Sequence, residues 1–377
     1  MSSSYTVSYY TSFTAKPEEP LAFQLKPIKI LIISDDQCYT SEQQFFPLFS
    51  HRKQLRQRFR LALNHLLIKD VLKFPDSLIK KYDLILIKIS FKTPVYQVKS
   101  ILNRLYTTKG NAKLVYFDGD DDACIQWPDI LNYVDLYVKK SLFVDLKQYE
   151  KVFIGKNNLT DYVAHNYNVS FSDNIIPKSN PINLLLIEKI FLGCNIALDD
   201  KIQKLYQEGL GNPEILKDND ILCRLTIPDD WMGNLRKDIT SQLQKISSQH
   251  KILIPDKRVP IEQYCNELSR SKISVSPFGY GEICWRDFES ILFQCLLIKP
   301  DMSHIKTFPD IFVPYKTYVP IKWDFSDLNE KCLYYLKHED ERKSIISQAS
   351  KVLYEFYQNE KFIDNFGDLL QKLGFNM

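Results

Sequence analysis

The chain has 377 residues, 45% of them hydrophobic and 13% aromatic, with 22 Tyr and 23 Phe. That length exceeds one ordinary hydrophobic core and predicts two domains. Lys and Arg total 49 against 46 Asp and Glu, a formal net charge of +3, which gives no basic face for broad binding to nucleic acid.

The eight cysteines are scattered, with no C-x-x-C pair, and several lie in apolar runs where a thiol packs as a small hydrophobe. This argues against a zinc site or a disulfide framework and for a reducing, cytoplasmic setting. The opening MSSSYTVSYYTSFTAKPEEP lacks both a basic and an apolar region, so residues 1–24 read as a tail rather than a secretion signal. No apolar run approaches the ~18 residues of a membrane span. The basic run HRKQLRQRFR at 51–60 leaves peripheral contact with a membrane surface open, although such runs are usually solvated helix faces.

In chain order, residues 27–34 (PIKILIIS) form a continuous β-branched run, the pattern of a central parallel strand. A basic amphipathic helix is expected over 54–68, a strand over 82–89, a helix over 94–106 and strands over 113–117 and 134–138. Strands alternating with helices predict an open α/β sheet whose functional edge lies at the strand C-termini. Asp35, Asp36, Asp118 and Lys139 fall at that edge. Residues 149–181 are polar and read as loop, and Gly209–Pro213 (GLGNP) breaks a helix expected over 199–211. A second α/β series follows, with strands at 221–227, 251–254, 272–276, 296–298 and 317–323. Helices are expected at 231–246, 261–270, 286–295 and 327–336, the last capped by Ser326. Residues 342–373 are nearly all helix-forming. The fold class is therefore α/β, two Rossmann-like domains facing a cleft, with C-terminal helices packing back across them. The boundaries expected are 25–183, 184–350 and a final helix over 351–377.

The stretch SKISVSPFGYGEICWRDFESILFQCLLIKP, residues 271–300, reads as strand, glycine loop, helix and strand, half of a nucleotide-binding unit. Gly279 and Gly281 flank Tyr280 in a loop suited to close ligand approach. Arg286, Asp287 and Glu289 sit in the first helical turns, where backbone N–H groups and the helix dipole favour phosphate.

Gly281-Glu282 followed by Glu289 seven positions later resembles the acidic motif of GT-B glycosyltransferases. The run from Arg286 to Cys295 is similar to the Arg-x-x-Glu core of exostosin-like and group 1 glycosyl transferases. The resemblance covers about 150 residues of the C-terminal half. It implies transfer of a sugar from a UDP- or GDP-sugar donor, bound in the C-terminal domain, to a glycan or other polar acceptor on the N-terminal side. No obligatory cofactor or metal is implied. Carried over, Glu289 would accept from the ribose hydroxyls, and Arg286 would meet the diphosphate through a planar fork that suits phosphate. Gly279 and Gly281 would let the loop backbone approach the sugar or phosphate, and Glu282 would lie near the sugar hydroxyls. Ser276, Tyr280 and Asp287 complete the substrate-binding set. Arg224 would neutralise the leaving diphosphate, with pairing to a nearby acid such as Asp229 as the bland alternative, and Arg236 is a weaker candidate. The first acid lies one position later than the pattern, and Gln294 replaces a small residue.

A catalytic base would come from the first domain. Asp35 and Asp118 are the candidates by strand-end position, with Asp36, His165 and His304 further options. The acidic run Asp118 to Asp122 also permits a metal-dependent, GT-A-like alternative using Asp118 and Asp120, or an acidic turn with capping aspartates. A third reading is a non-catalytic nucleotide- or glycan-binding module.

Overall fold

The computed structural model describes residues 26–35, 39–155, 157–171, 181–208, 215–254 and 258–376. The expected tail, Asp36 and the Gly209–Pro213 break lie outside them. Thirteen strands are described among these residues. They are β1 (Ile28–Ser34), β2 (Leu61–Leu67), β3 (Leu84–Lys88), β4 (Lys113–Asp118), β5 (Leu136–Lys139), β6 (Ser141–Phe143) and β7 (Ile190–Leu192). After these come β8 (Asn219–Leu222), β9 (Ile252–Leu253), β10 (Ser271–Val275), β11 (Leu296–Pro300), β12 (Ile305–Thr307) and β13 (Val319–Ile321).

The first sheet runs β2-β1-β3-β4-β5-β7, all parallel. The second runs β13-β11-β10-β8-β9, also all parallel. Parallel sheets covered by helices on both faces are built from near-continuous apolar strands, and all five residues of β3 and of β11 are buried. The strand order reverses between β1 and β3 in one sheet and between β8 and β10 in the other. Each reversal opens a crevice at the strand C-termini, the usual place for a ligand in such sheets.

Among the contacts between the halves are a strand ladder and the returning C-terminal helices. β6 and β12 form a short antiparallel ladder, Ser141–Phe143 against Ile305–Thr307. The C-terminal helices Glu339–Gln358 and Lys361–Lys372 run back to the first half. There Tyr357 donates to the Ala197 carbonyl at 2.7 Å, Asn365 to the Leu192 carbonyl at 3.1 Å, and Asp364 pairs with Arg58 at 2.7 Å. No helix among the described residues is long and apolar enough to cross a membrane.

Several local expectations are corrected. The helix expected over 54–68 ends at Phe59, where Arg60 takes the left-handed conformation (φ 55°), and Leu61–Leu67 becomes strand β2 beside β1. Leucine-rich LALNHLL has good helix propensity, but pairing along seven residues of β1 overrides it. The polar stretch 149–181 contains the helix Asn158–Tyr167, started by Asn157 and Thr160, each accepting the other's N–H at 2.9 Å. That reciprocal cap was hidden by the polarity of the segment. The helix Leu328–Lys337 has no side-chain cap from Ser326, whose N–H is instead bound by Asp324 at 3.0 Å. β7 completes the first sheet, so the change of sheet falls between Leu192 and Asn219 rather than at 184. The last-but-one helix begins at Glu339, upstream of 351.

Candidate functional site

The crevice between β8 and β10 is bordered by the loop 276–284 and by the helices that follow the two strands, Trp231–Gln244 and Trp285–Leu292. The start of the second helix is closed by its own side chains. Asp287, fully buried, accepts the Cys284 N–H at 2.9 Å and the Ser276 hydroxyl at 2.6 Å, and pairs with buried Lys299 at 3.1 Å. Ser276 and Asp287, expected to bind substrate, brace the loop through these bonds.

Two arginines from the two helices approach the same space. Arg286 is half-buried; its Nε is buried without a hydrogen-bond partner, and among the described residues its guanidinium has no ion pair. Arg236 donates one N–H to the Thr226 carbonyl, while its Nε is likewise buried and unsatisfied. Burial first, then the charge of Arg286, holds Arg236 below the ordinary arginine range. Two like charges held together with unsatisfied donors describe a site for an anion, because an anion offsets both the repulsion and the desolvation. Gly279 faces this pair: a Cβ built on it would lie 3.9 Å from an Arg236 nitrogen. Tyr280 is exposed and leans outward, with its hydroxyl on Asp230 and its ring edge-on to Trp231 at 5.9 Å.

Arg224 is committed elsewhere. Its guanidinium forks onto Glu267 with two hydrogen bonds of 2.7 Å. The bland alternative therefore holds for this residue, with Glu267 as the acid, and the weaker candidate Arg236 occupies the crevice.

Glu289 is 2% exposed and is held by Lys201 through one oxygen and by the Tyr264 hydroxyl at 2.6 Å through the other. Burial, then the Glu289 charge, pushes the Tyr264 phenol well up, which keeps it a donor. Lys201 also lies 5.0 Å from the Trp285 ring centroid. Neither Lys201 nor Tyr264 carried a sequence signal, since they reach Glu289 across 88 and 25 positions. Each carboxylate oxygen retains a second lone pair, so two adjacent hydroxyls can still donate to Glu289.

Glu282 is fully buried; one oxygen lies 3.3 Å from His304 Nε2 and the other has no partner. Gly281 packs against the first half. A Cβ there would fall 2.1 Å from the Asp121 carbonyl oxygen, a distance that only glycine avoids.

In the first half Asp118 is fully buried and satisfied, with Lys139 at 3.0 Å, the Tyr137 hydroxyl at 2.6 Å and the Asp120 N–H at 2.9 Å. It braces the sheet edge and is not placed to take a proton. The rest of the acidic run serves turn and pairing roles: Asp122 accepts the Cys124 N–H at 2.8 Å and Asp121 pairs with Lys140 at 2.8 Å. Asp35 stays half-buried at the end of β1 and accepts the Ser90 N–H. Burial raises its pKa, against the opposing pull of that N–H and of Lys88. His165 is exposed on its helix, bonded to the Asp161 carbonyl at 2.7 Å.

No family model matches the chain, and no curated protein matches it in sequence. Solved structures do match. A glycosyltransferase from Rickettsia africae ESF-5 superposes with a TM-score of 0.50 at 14% identity, covering 93% of this chain and 100% of that one. The fold is that of the GT-B glycosyltransferases. Lower scores come from OtsA in its apo form (0.47, 9% identity, 93% and 100% covered). A UDP-GlcNAc 2-epimerase from Neisseria meningitidis, bound to UDP-GlcNAc, also matches (0.40, 9%, 88% and 100%). At these identities the likeness is one of fold, and one fold hosts many chemistries.

Proposed function

We propose that the chain is a metal-independent, cytoplasmic glycosyltransferase that binds a UDP- or GDP-sugar in its C-terminal half and passes the sugar to a glycan or other polar acceptor on its N-terminal half. The observation that carries this reading is the pair Arg236 and Arg286 at the switch point of the second sheet, each with a buried Nε that has no hydrogen-bond partner. In this reading the diphosphate lies across both guanidinium groups and the ribose hydroxyls donate to Glu289. Glu282, through its unpartnered oxygen, takes a hydroxyl of the sugar.

The chemistry follows from charge. The bond between the sugar C1 and the diphosphate oxygen breaks with its electron pair on that oxygen. Arg236 and Arg286 stabilise the growing negative charge, as fixed cations do most effectively in a site shielded from water. The acceptor oxygen forms the new bond to C1 and gives its proton to Asp35, the strand-end carboxylate that no cation of the described residues neutralises by contact. The test is isothermal titration of UDP and GDP in the presence of EDTA. One of them binds the parent protein, and Arg286→Gln and Arg236→Gln each weaken it at least tenfold. Equal binding by parent and variants overturns the reading.

A further inference from the structure

Four lysines are buried to 2% exposure or less: Lys88, Lys139, Lys140 and Lys299. Three of them meet a carboxylate, Lys139 on Asp118 at 3.0 Å, Lys140 on Asp121 at 2.8 Å and Lys299 on Asp287 at 3.1 Å. Lys88 does not. It is 0% exposed, its Nζ has no hydrogen-bond partner, and it lies 6.0 Å from the centroid of the Tyr116 ring. A buried ammonium group without a partner is strongly unfavourable. Packing does not demand one here, since a methionine would fill the same volume.

Position supplies the reason. Lys88 ends β3 and Asp35 follows β1, so the two stand on either side of the first sheet's switch point, where a ligand is expected to enter. The Lys88 charge acts on Asp35, which turns one oxygen to the Ser90 N–H. One side of the crevice is therefore a donor with no acceptor, and the other is a carboxylate with spare lone pairs.

Charge decides what fits between them. Burial, then the charges of Asp118, Asp120 and Asp35, push up the phenol of Tyr116, whose ring Lys88 overlies, so carboxylates gather on this side of the sheet, Asp118 among them paired with Lys139. An anionic ligand would face these carboxylates, whereas a neutral ligand with one hydroxyl to give and one to receive faces none unfavourably. We propose that Lys88 and Asp35 clamp a neutral vicinal diol of the acceptor, one hydroxyl accepting from Lys88 and its neighbour donating to Asp35. This makes the acceptor an uncharged carbohydrate and Lys88 a binding residue for it, and it rests on the transferase reading above.

The experiment is saturation-transfer NMR on the full chain with glucose, galactose, mannose and N-acetylglucosamine. Glucose 6-phosphate and glucuronate form the anionic arm, and each titration is run with and without UDP. At least one neutral sugar binds, and Lys88→Met and Asp35→Asn each weaken it tenfold or more. Lys88→Met leaves UDP affinity intact and does not lower the melting temperature, as loss of a purely structural lysine would. Sugar affinity unmoved in both variants overturns the proposal. So does the absence of any sugar binding, or Lys88-dependent binding of the anionic sugars alone. Failure of UDP to bind the parent protein, with the sugar result standing, overturns the donor reading instead.

Discussion

Gly281 touches the backbone of Asp121 across the two halves of the molecule, so closely that a Cβ would stand 2.1 Å from one carbonyl oxygen and 2.6 Å from the Asp121 Cβ. The glycine loop of the second half and the acidic turn of the first are therefore fitted to one another. Gly281→Ala must push the turn and loop apart, at a cost of about 1–3 kcal/mol for overpacking a fitted contact. Thermal melting is expected to fall, and cleavage by protease between the halves to speed up. An unchanged melting temperature shows that the seam is loose.

Arg236 and Arg286 repel one another, while Arg224 and Glu267 satisfy one another, and the two pairs predict opposite behaviour. Arg236→Gln, which removes a charge that burial and Arg286 disfavour, loses nucleotide affinity but keeps or gains thermal stability. Arg286→Gln loses nucleotide affinity without that gain, because the surroundings of Arg286, Glu289 among them, favour its charge. Each lost charged hydrogen bond is worth about 1.5–3 kcal/mol of binding. Glu267→Gln breaks a mostly buried pair and lowers stability by about 3 kcal/mol, with nucleotide affinity unchanged. Calorimetry and melting on the same samples separate the outcomes.

Glu289 is held by Lys201 and Tyr264 and keeps lone pairs for two hydroxyls. If those hydroxyls are ribose, the parent protein binds UDP more tightly than 2′-deoxy-UDP, by roughly tenfold for one charged hydrogen bond. Glu289→Ala is expected to bind the two nucleotides alike. Retained discrimination in that variant moves the ribose elsewhere.

Asp35 has a pKa raised by burial, so the folded chain holds a proton that the unfolded chain releases. Between the ordinary carboxylate pKa and the raised value, stability therefore falls as pH rises. Asp35→Asn removes that slope and is neutral or stabilising at neutral pH. The same substitution lowers the transfer rate by about a hundredfold or more if Asp35 is the base. The acid limb of kcat/KM in the parent protein then lies above the usual carboxylate range.

Much of the fold was legible because buried parallel strands such as β1, β3 and β11 are written as unbroken apolar runs, whatever they pair with. The α/β rhythm, the two sheets and the returning C-terminal helices follow from that local pattern. β2 was not legible, since LALNHLL suits a helix until β1 offers it a ladder, and the Asn157–Thr160 cap lay in a stretch too polar to suggest a helix. At the candidate site, the loop and helix that the sequence singled out border the crevice of the second sheet, and Glu282, Arg286 and Glu289 lie on them. The sequence could not say which charges were spent. Asp287 looks like a ligand until Lys299 closes on it, Asp118 like a base until Lys139 and Tyr137 claim it, and Arg224 like a phosphate contact until Glu267 fills its fork. Whether a charged group is free depends on partners 12 to 43 positions away, which only the tertiary structure brings within hydrogen-bonding distance.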